Sequence, residues 1–152
     1  MDMFARTFLA AANEAAVPVR AISRHIPLFR RCVGSDASVL VVARCVRPDR
    51  PLAGEHLLLL TRGRLAVSRE SRTLHRARVE LDAMIRELRE VVWAPDPRRS
   101  GLELALTGAD GVRQRFWITT GHPKQVWRLD ALLNQVFSAR RPALPVGRPA
   151  RR

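Results

Sequence analysis

Residues 56–68 read His56-Leu57-Leu58-Leu59-Leu60-Thr61-Arg62-Gly63-Arg64-Leu65-Ala66-Val67-Ser68. Two apolar runs of strand length flank an Arg-Gly pair, the pattern of a tight β-hairpin. Downstream, the runs of strand character continue. Ala77 to Leu81 is short, with Val79 and Leu81 alternating. A turn at 82–85 and a strand over about 86–93 follow, chosen over a helix because strands stand on both sides. Leu102, Leu104 and Leu106 alternate with Glu103 and Ala105, a half-buried strand. Gly108-Ala109-Asp110-Gly111 turns the chain, and Val112 to Thr119 returns. Pro123 then opens a helix, where its missing N–H costs nothing. Val126, Leu129, Leu132, Leu133, Val136 and Phe137 make its apolar face.

Upstream, Ser38 to Val46 is β-rich, and Arg47-Pro48-Asp49-Arg50-Pro51 is a loop, since prolines are excluded from strand interiors. Residues 3–16 have helical spacing in Phe4, Phe8, Ala12 and Ala15, ended by Pro18. Val19, Ile22, Ile26 and Phe29 predict a second short helix interrupted at Pro27, and neither helix shows a strong cap. These helices read as an arm packed on the domain, or as a docking helix for a membrane or a partner. The organisation is a helical arm over 1–33, a domain over 37–138, and a disordered Pro/Arg-rich tail over 139–152.

Many strands closed by one helix define the fold class: α+β, mainly β. In order, the segments 57–67 (LLLLTRGRLAV), 79–88 (VELDAMIREL), 102–118 (LELALTGADGVRQRFWI) and the helix 123–138 resemble the bacterial pleckstrin-homology-like (PH-like) and GRAM-like domains. The resemblance covers about residues 37–138. It implies a seven-stranded barrel or sandwich of two antiparallel sheets closed by the C-terminal helix. It also implies a non-catalytic binding module or adaptor, recognising a protein partner or an anionic membrane surface. Lipid-binding members use basic residues in the loop between the first two strands, where this chain has Arg44, Arg47 and Arg50. His56 to Thr61 carries no Lys or Arg, unlike the phosphoinositide-binding pattern.

The chain of 152 residues carries a formal net charge of +13, and its basic residues are all arginine except Lys124. The excess is richest at the ends, where arms find anionic partners. A GC-rich genome would produce the same bias. Non-specific nucleic-acid binding is the alternative function, and an accessory subunit of a larger assembly a third. Arg62 and Arg64 flank the hairpin glycine. With Arg44, Arg47 and Arg50 they would form one anion-binding end of the barrel. Trp117, between Arg113 and Arg115 on the face opposite Phe116 and Ile118, is a candidate surface aromatic contact for a base or a membrane interface.

No Gly-rich phosphate loop, nucleophile elbow or paired metal ligands occur, so no catalytic residue, metal or cofactor is expected. Cys32 and Cys45 lack metal-ligand spacing, and Cys45 falls in the core of its strand. Glu87 and Glu90 sit among Arg86 and Arg89 as a solvated, neutralised face. No apolar run reaches the length of a membrane span. The expected location is the cytoplasm, with peripheral membrane association as a variant. A transit peptide is disfavoured by Asp2 and Glu14.

Overall fold

In the computed structural model, which describes residues 1–71, 73–74 and 76–138, Asp2 starts the first helix. Its carboxylate accepts the Ala5 N–H at 2.7 Å, the N-cap that the sequence reading did not credit. Helix α1 spans Met3–Glu14 and buries Phe4, Phe8 and Ala12 along one stripe. Helix α2 spans Val19–Val33 and runs unbroken through Pro27, contrary to the interruption expected there. An interior proline costs about 3 kcal/mol. Burial of His25 on one side of it and Phe29 on the other offsets that cost. Gly34, at φ 87°, ends the helix in a conformation open to glycine.

Seven strands follow: β1 Val39–Val46, β2 Glu55–Thr61, β3 Arg64–Glu70, β4 Ala77–Met84, β5 Arg89–Asp96, β6 Gly101–Thr107 and β7 Arg113–Thr119. All pairings are antiparallel, in the order β4-β3-β2-β1-β7-β6-β5. The two sheets expected from the sequence are joined into one ladder, because β1 pairs with β2 along its length and with β7 through Arg44 to Val46. Helix α3, Pro123–Ser138, closes one end against β5 and β6. There the Trp93 indole N–H donates to Asp130 at 2.9 Å, and its ring lies 5.9 Å from that of Phe137.

The turn expected at 82–85 lies later. Strand β4 continues to Met84, which pairs with Arg64, and a single 3-10 turn occupies Ile85–Glu87. Glu87 holds that turn by accepting the Met84 N–H at 3.0 Å. The helix-like spacing of Ile85 and Leu88 is this one turn, which buries both. Strand β5 then runs through Pro95, tolerated because β5 is a sheet edge.

Strand β2 explains the four consecutive leucines. Leu58 and Leu60 enter the barrel core with Leu104, Phe116 and Leu133. Leu57 and Leu59 point the other way, into a second core with Phe4, Phe8 and Phe29. A strand covered on both faces has no polar side to alternate. Each leucine withdrawn from water contributes roughly 1.5–3 kcal/mol. The N-terminal helices are thus the outer layer over β1, β2 and β3. Ion pairs Arg30–Asp2, Arg24–Glu70 and Arg128–Glu14 tie them to each other, to β3 and to α3.

Candidate functional site: the arginine-lined open end of the barrel

Antiparallel pairing sends the β1–β2, β3–β4 and β6–β7 connections to one end of the barrel. A cavity of about 420 Å³ opens there, lined by Arg47, Arg50, Arg78, Val79, Glu80, Val112 and Gln114.

Arg47 follows the last residue of β1 and turns inward. It is 6% exposed, with its guanidinium 5.2 Å from the Phe116 ring centroid. One terminal nitrogen donates to Gln114 Oε1 at 3.0 Å, and the other lies 3.6 Å from Glu80 Oε1. Its Nε is buried with no acceptor among the described residues. A buried charged donor without a partner is costly, and such exceptions need an explanation.

Among the described residues Glu80 is the only carboxylate lining this cavity, and it is already engaged. It accepts from His56 Nε2 at 3.1 Å and Arg69 Nε at 3.0 Å. Partial burial works against its charged form. The His56 hydrogen bond and the charges of His56, Arg69 and Arg47 outweigh that and hold its pKa below the usual value. Burial pushes the His56 imidazole below its ordinary pKa, against the opposing pull of Glu80 and of the Gly54 carbonyl.

Arg50 and Arg78 are exposed and carry no ion pair among the described residues. Arg78 stands directly opposite Arg69 across the β3–β4 pair. Like charges in that position repel.

The five arginines expected to share one patch are divided. Arg47 and Arg50 lie at this end. Arg44 is on β1, paired with Glu55 at 3.0 Å. Arg62 and Arg64 are at the β2–β3 turn, at the far end of a seven-residue strand. At roughly 3.3 Å per residue that is about 20 Å away. Arg64 is paired there with Asp82 at 2.9 Å. The hairpin itself forces the separation, because consecutive turns of a meander fall on opposite ends.

Trp117 does face outward, as its alternation predicts, yet it is half-buried and occupied. The Arg99 guanidinium lies 4.3 Å from its ring centroid. Arg115 donates from Nε to Glu103 at 2.9 Å, and Arg113 to the Glu90 carbonyl at 2.6 Å. Arg99, Arg78 and Gln114 escaped the sequence reading. The one available signal was alternation: Gln114 shares the inward parity of Phe116 and Ile118.

Cys45 is fully buried, with its thiol pKa pushed well up by burial; Cys32 is half-buried, with its thiol pushed up to about 11 by burial and by Asp82. Neither has the character of a thiolate nucleophile. Among the described residues no group of three His, Cys, Asp or Glu side chains is placed to hold a metal ion. No helix among them is long and apolar enough to cross a membrane. Residues 139–152, expected as a disordered tail, lie outside the described residues.

The chain matches no protein-family model and no curated protein. It is similar in fold to solved structures. One is the complex of PDZ-RhoGEF DH/PH domains with GTP-γ-S-activated RhoA, at TM-score 0.52 and 10% identity, covering 91% of this chain and 38% of that one. Another is the DH/PH domains of p115-RhoGEF, at TM-score 0.51 and 12% identity, covering 95% of this chain and 40% of that one. This chain therefore spans about two-fifths of those chains. The likeness establishes the class: a mainly-β, PH-like fold. At this identity it speaks of fold alone.

Proposed function

We propose that this chain is a non-catalytic recognition module whose open end, around Arg47, Arg50 and Arg78, takes a phosphate-bearing anion. Of the partners considered for a PH-like module, a protein or an anionic surface, the open end favours the anion. The observation that carries this reading is the gathering of Arg47, Arg50 and Arg78 around one cavity, where Arg50 and Arg78 have no ion pair among the described residues. Guanidinium groups match phosphate oxygens in geometry and charge. The absence of a catalytic constellation in the sequence supports binding without turnover. The order of the apolar segments and the arginine-rich composition favour the bacterial GRAM-like kind, acting as an adaptor at the cytoplasmic side of a membrane.

The test is calorimetric titration with inositol hexakisphosphate as probe. Each charge-assisted hydrogen bond contributes about 1.5–3 kcal/mol, so losing one weakens binding about tenfold or more. The expected result is a loss of that size for Arg50→Ala and Arg78→Ala, and none for Arg62→Ala or Arg64→Ala. Equal losses at both ends would reduce the reading to diffuse charge attraction.

A further inference from the structure

We propose that the crevice between α1, the first half of β1 and α3 takes an extended peptide segment of a partner protein, one with a small apolar anchor residue and acidic flanks. The crevice is separate from the arginine-lined cavity, because β1 begins where Val39 pairs with Thr61, at the other end of the barrel.

Strand β1 is paired with β2 along its length, but with β7 only over residues 44–46. Strand β7 parts from β1 there because the chain turns to β6. The Thr120 N–H and hydroxyl both donate to the Ser100 carbonyl at 2.9 Å. Among the described residues no strand lies on that side of residues 40–43. Successive residues of a strand turn their N–H and C=O groups to opposite edges, so alternate residues here face the gap. Such groups are a template for one more strand. Leu40 is also the extra residue at a break in the β1–β2 register, a device common at barrel rims and beside binding sites.

The gap holds an apolar cavity of about 60 Å³, walled by Ala11 and Ala15 of α1, Leu40 and Ala43 of β1, and Leu129 and Leu132 of α3. The two alanines leave the space. A dry cavity of roughly 150 Å³ admits benzene. This smaller one suits a single aliphatic side chain and is too small for a lipid tail.

Charge chooses among extended partners. A second hollow adjoins the first, and the two share Glu14, Gln125 and Arg128. Its remaining lining is His122 and Lys124, both exposed. Among the described residues Glu14 is the only carboxylate at either hollow. It is held by Arg128 in an exposed ion pair that ties α1 to α3. An exposed pair of this kind is weak, and an incoming carboxylate can take Arg128 from it. Lys124 has no ion pair among the described residues. The strand edge therefore selects an extended backbone, the cavity an apolar anchor, and the basic rim acidic neighbours.

The experiment is selection of a phage-displayed library of random linear peptides on the full chain. The enriched peptides are then synthesised with a fluorophore and titrated by anisotropy, and circular dichroism confirms the fold of each variant. The expected sequences place one Val, Leu or Ile among Asp and Glu. Ala11→Leu, which fills the cavity, weakens their binding at least about tenfold. Lys124→Glu, at an exposed position, weakens it about fivefold, and Glu14→Gln, which frees Arg128, strengthens it by about the same factor. Arg50→Ala/Arg78→Ala leaves it unchanged. Amide exchange within residues 40–43 slows on binding, as a strand added at that edge requires. Recovery of no binding peptide overturns the proposal, and so does binding that Ala11→Leu leaves undiminished. Equal losses in Lys124→Glu and in Arg50→Ala/Arg78→Ala would overturn it in favour of diffuse charge attraction.

Discussion

The Trp117 indole lies against Gly101, so close that a Cβ at position 101 would sit 2.1 Å from Cζ2 and 2.6 Å from Cε2. The Ile118 carbonyl oxygen would be 2.8 Å from the same atom. Arg99 covers the ring as well. Gly101 is thus a seat for the tryptophan. Gly101→Ala has to displace the ring or the β6–β7 pairing, and over-packing of this kind costs about 1–3 kcal/mol. Urea unfolding is expected to show that loss. Because the ring moves toward water, the folded-state tryptophan emission is expected to shift red.

The N-terminal helices are part of the folding unit. Phe8 is fully buried, with ring centroids 5.4 Å from Phe4 and 5.9 Å from Phe29. Phe8→Ala is expected to cost about 3–5 kcal/mol. Since the second core rests on the back of β2, helix loss and barrel loss should coincide. Far-ultraviolet circular dichroism and Trp fluorescence would then report one transition; two separated transitions would contradict this.

Acid should weaken the fold near neutrality. His25 is buried against β3, where Nδ1 meets the Ser68 hydroxyl. Burial lowers its pKa from the usual 6.5; Glu70 opposes this, while Arg24 and His56 add to it. The unfolded chain therefore binds the proton more readily, and stability rises with pH across that window. The contribution is full above about 6.5 and is lost as pH falls toward the lowered folded value. His56 acts in the same direction. Melting temperature is expected to drop between pH 7.5 and 5.5, and His25→Gln should flatten the profile. An unchanged slope in that variant would assign the effect elsewhere.

The two thiols should react at different rates. Cys45 is fully buried and Cys32 only partly, and both thiols are pushed up in pKa. Slow labelling of one equivalent at Cys32 is expected with a disulfide reagent at pH 8. The second equivalent should appear only on unfolding. Mass mapping of the labelled residue checks the order.

The barrel was legible because its strands alternate or are bounded by turns. Leu102, Leu104 and Leu106 enter one core, and each is fully buried. Helix α3 was legible from Pro123 and one apolar stripe. The second core was not. Leu57 and Leu59 look like Leu58 and Leu60 in the sequence, and only the placement of α1 and α2 shows that they serve different layers. The site was half legible. Arg47 and Arg50 follow from the loop position, but charge near charge in sequence does not give nearness in space. A hairpin carries Arg62 away from Arg50, while the return of β4 and β7 brings Arg78 and Gln114 in.

The leucine run of β2 has one more consequence. A strand apolar on one side only would be held in place by greasiness, since sliding by one residue would expose it. Sliding Leu57-Leu58-Leu59-Leu60 would merely exchange leucine for leucine. What forbids the slip is polar punctuation at its two ends. His56 meets Glu80, and the Thr61 hydroxyl accepts the N–H groups of Gly63 and Arg64 at 3.2 and 3.0 Å. Hydrophobicity holds the strand in the sheet, and two hydrogen-bonding residues tell it where to stop.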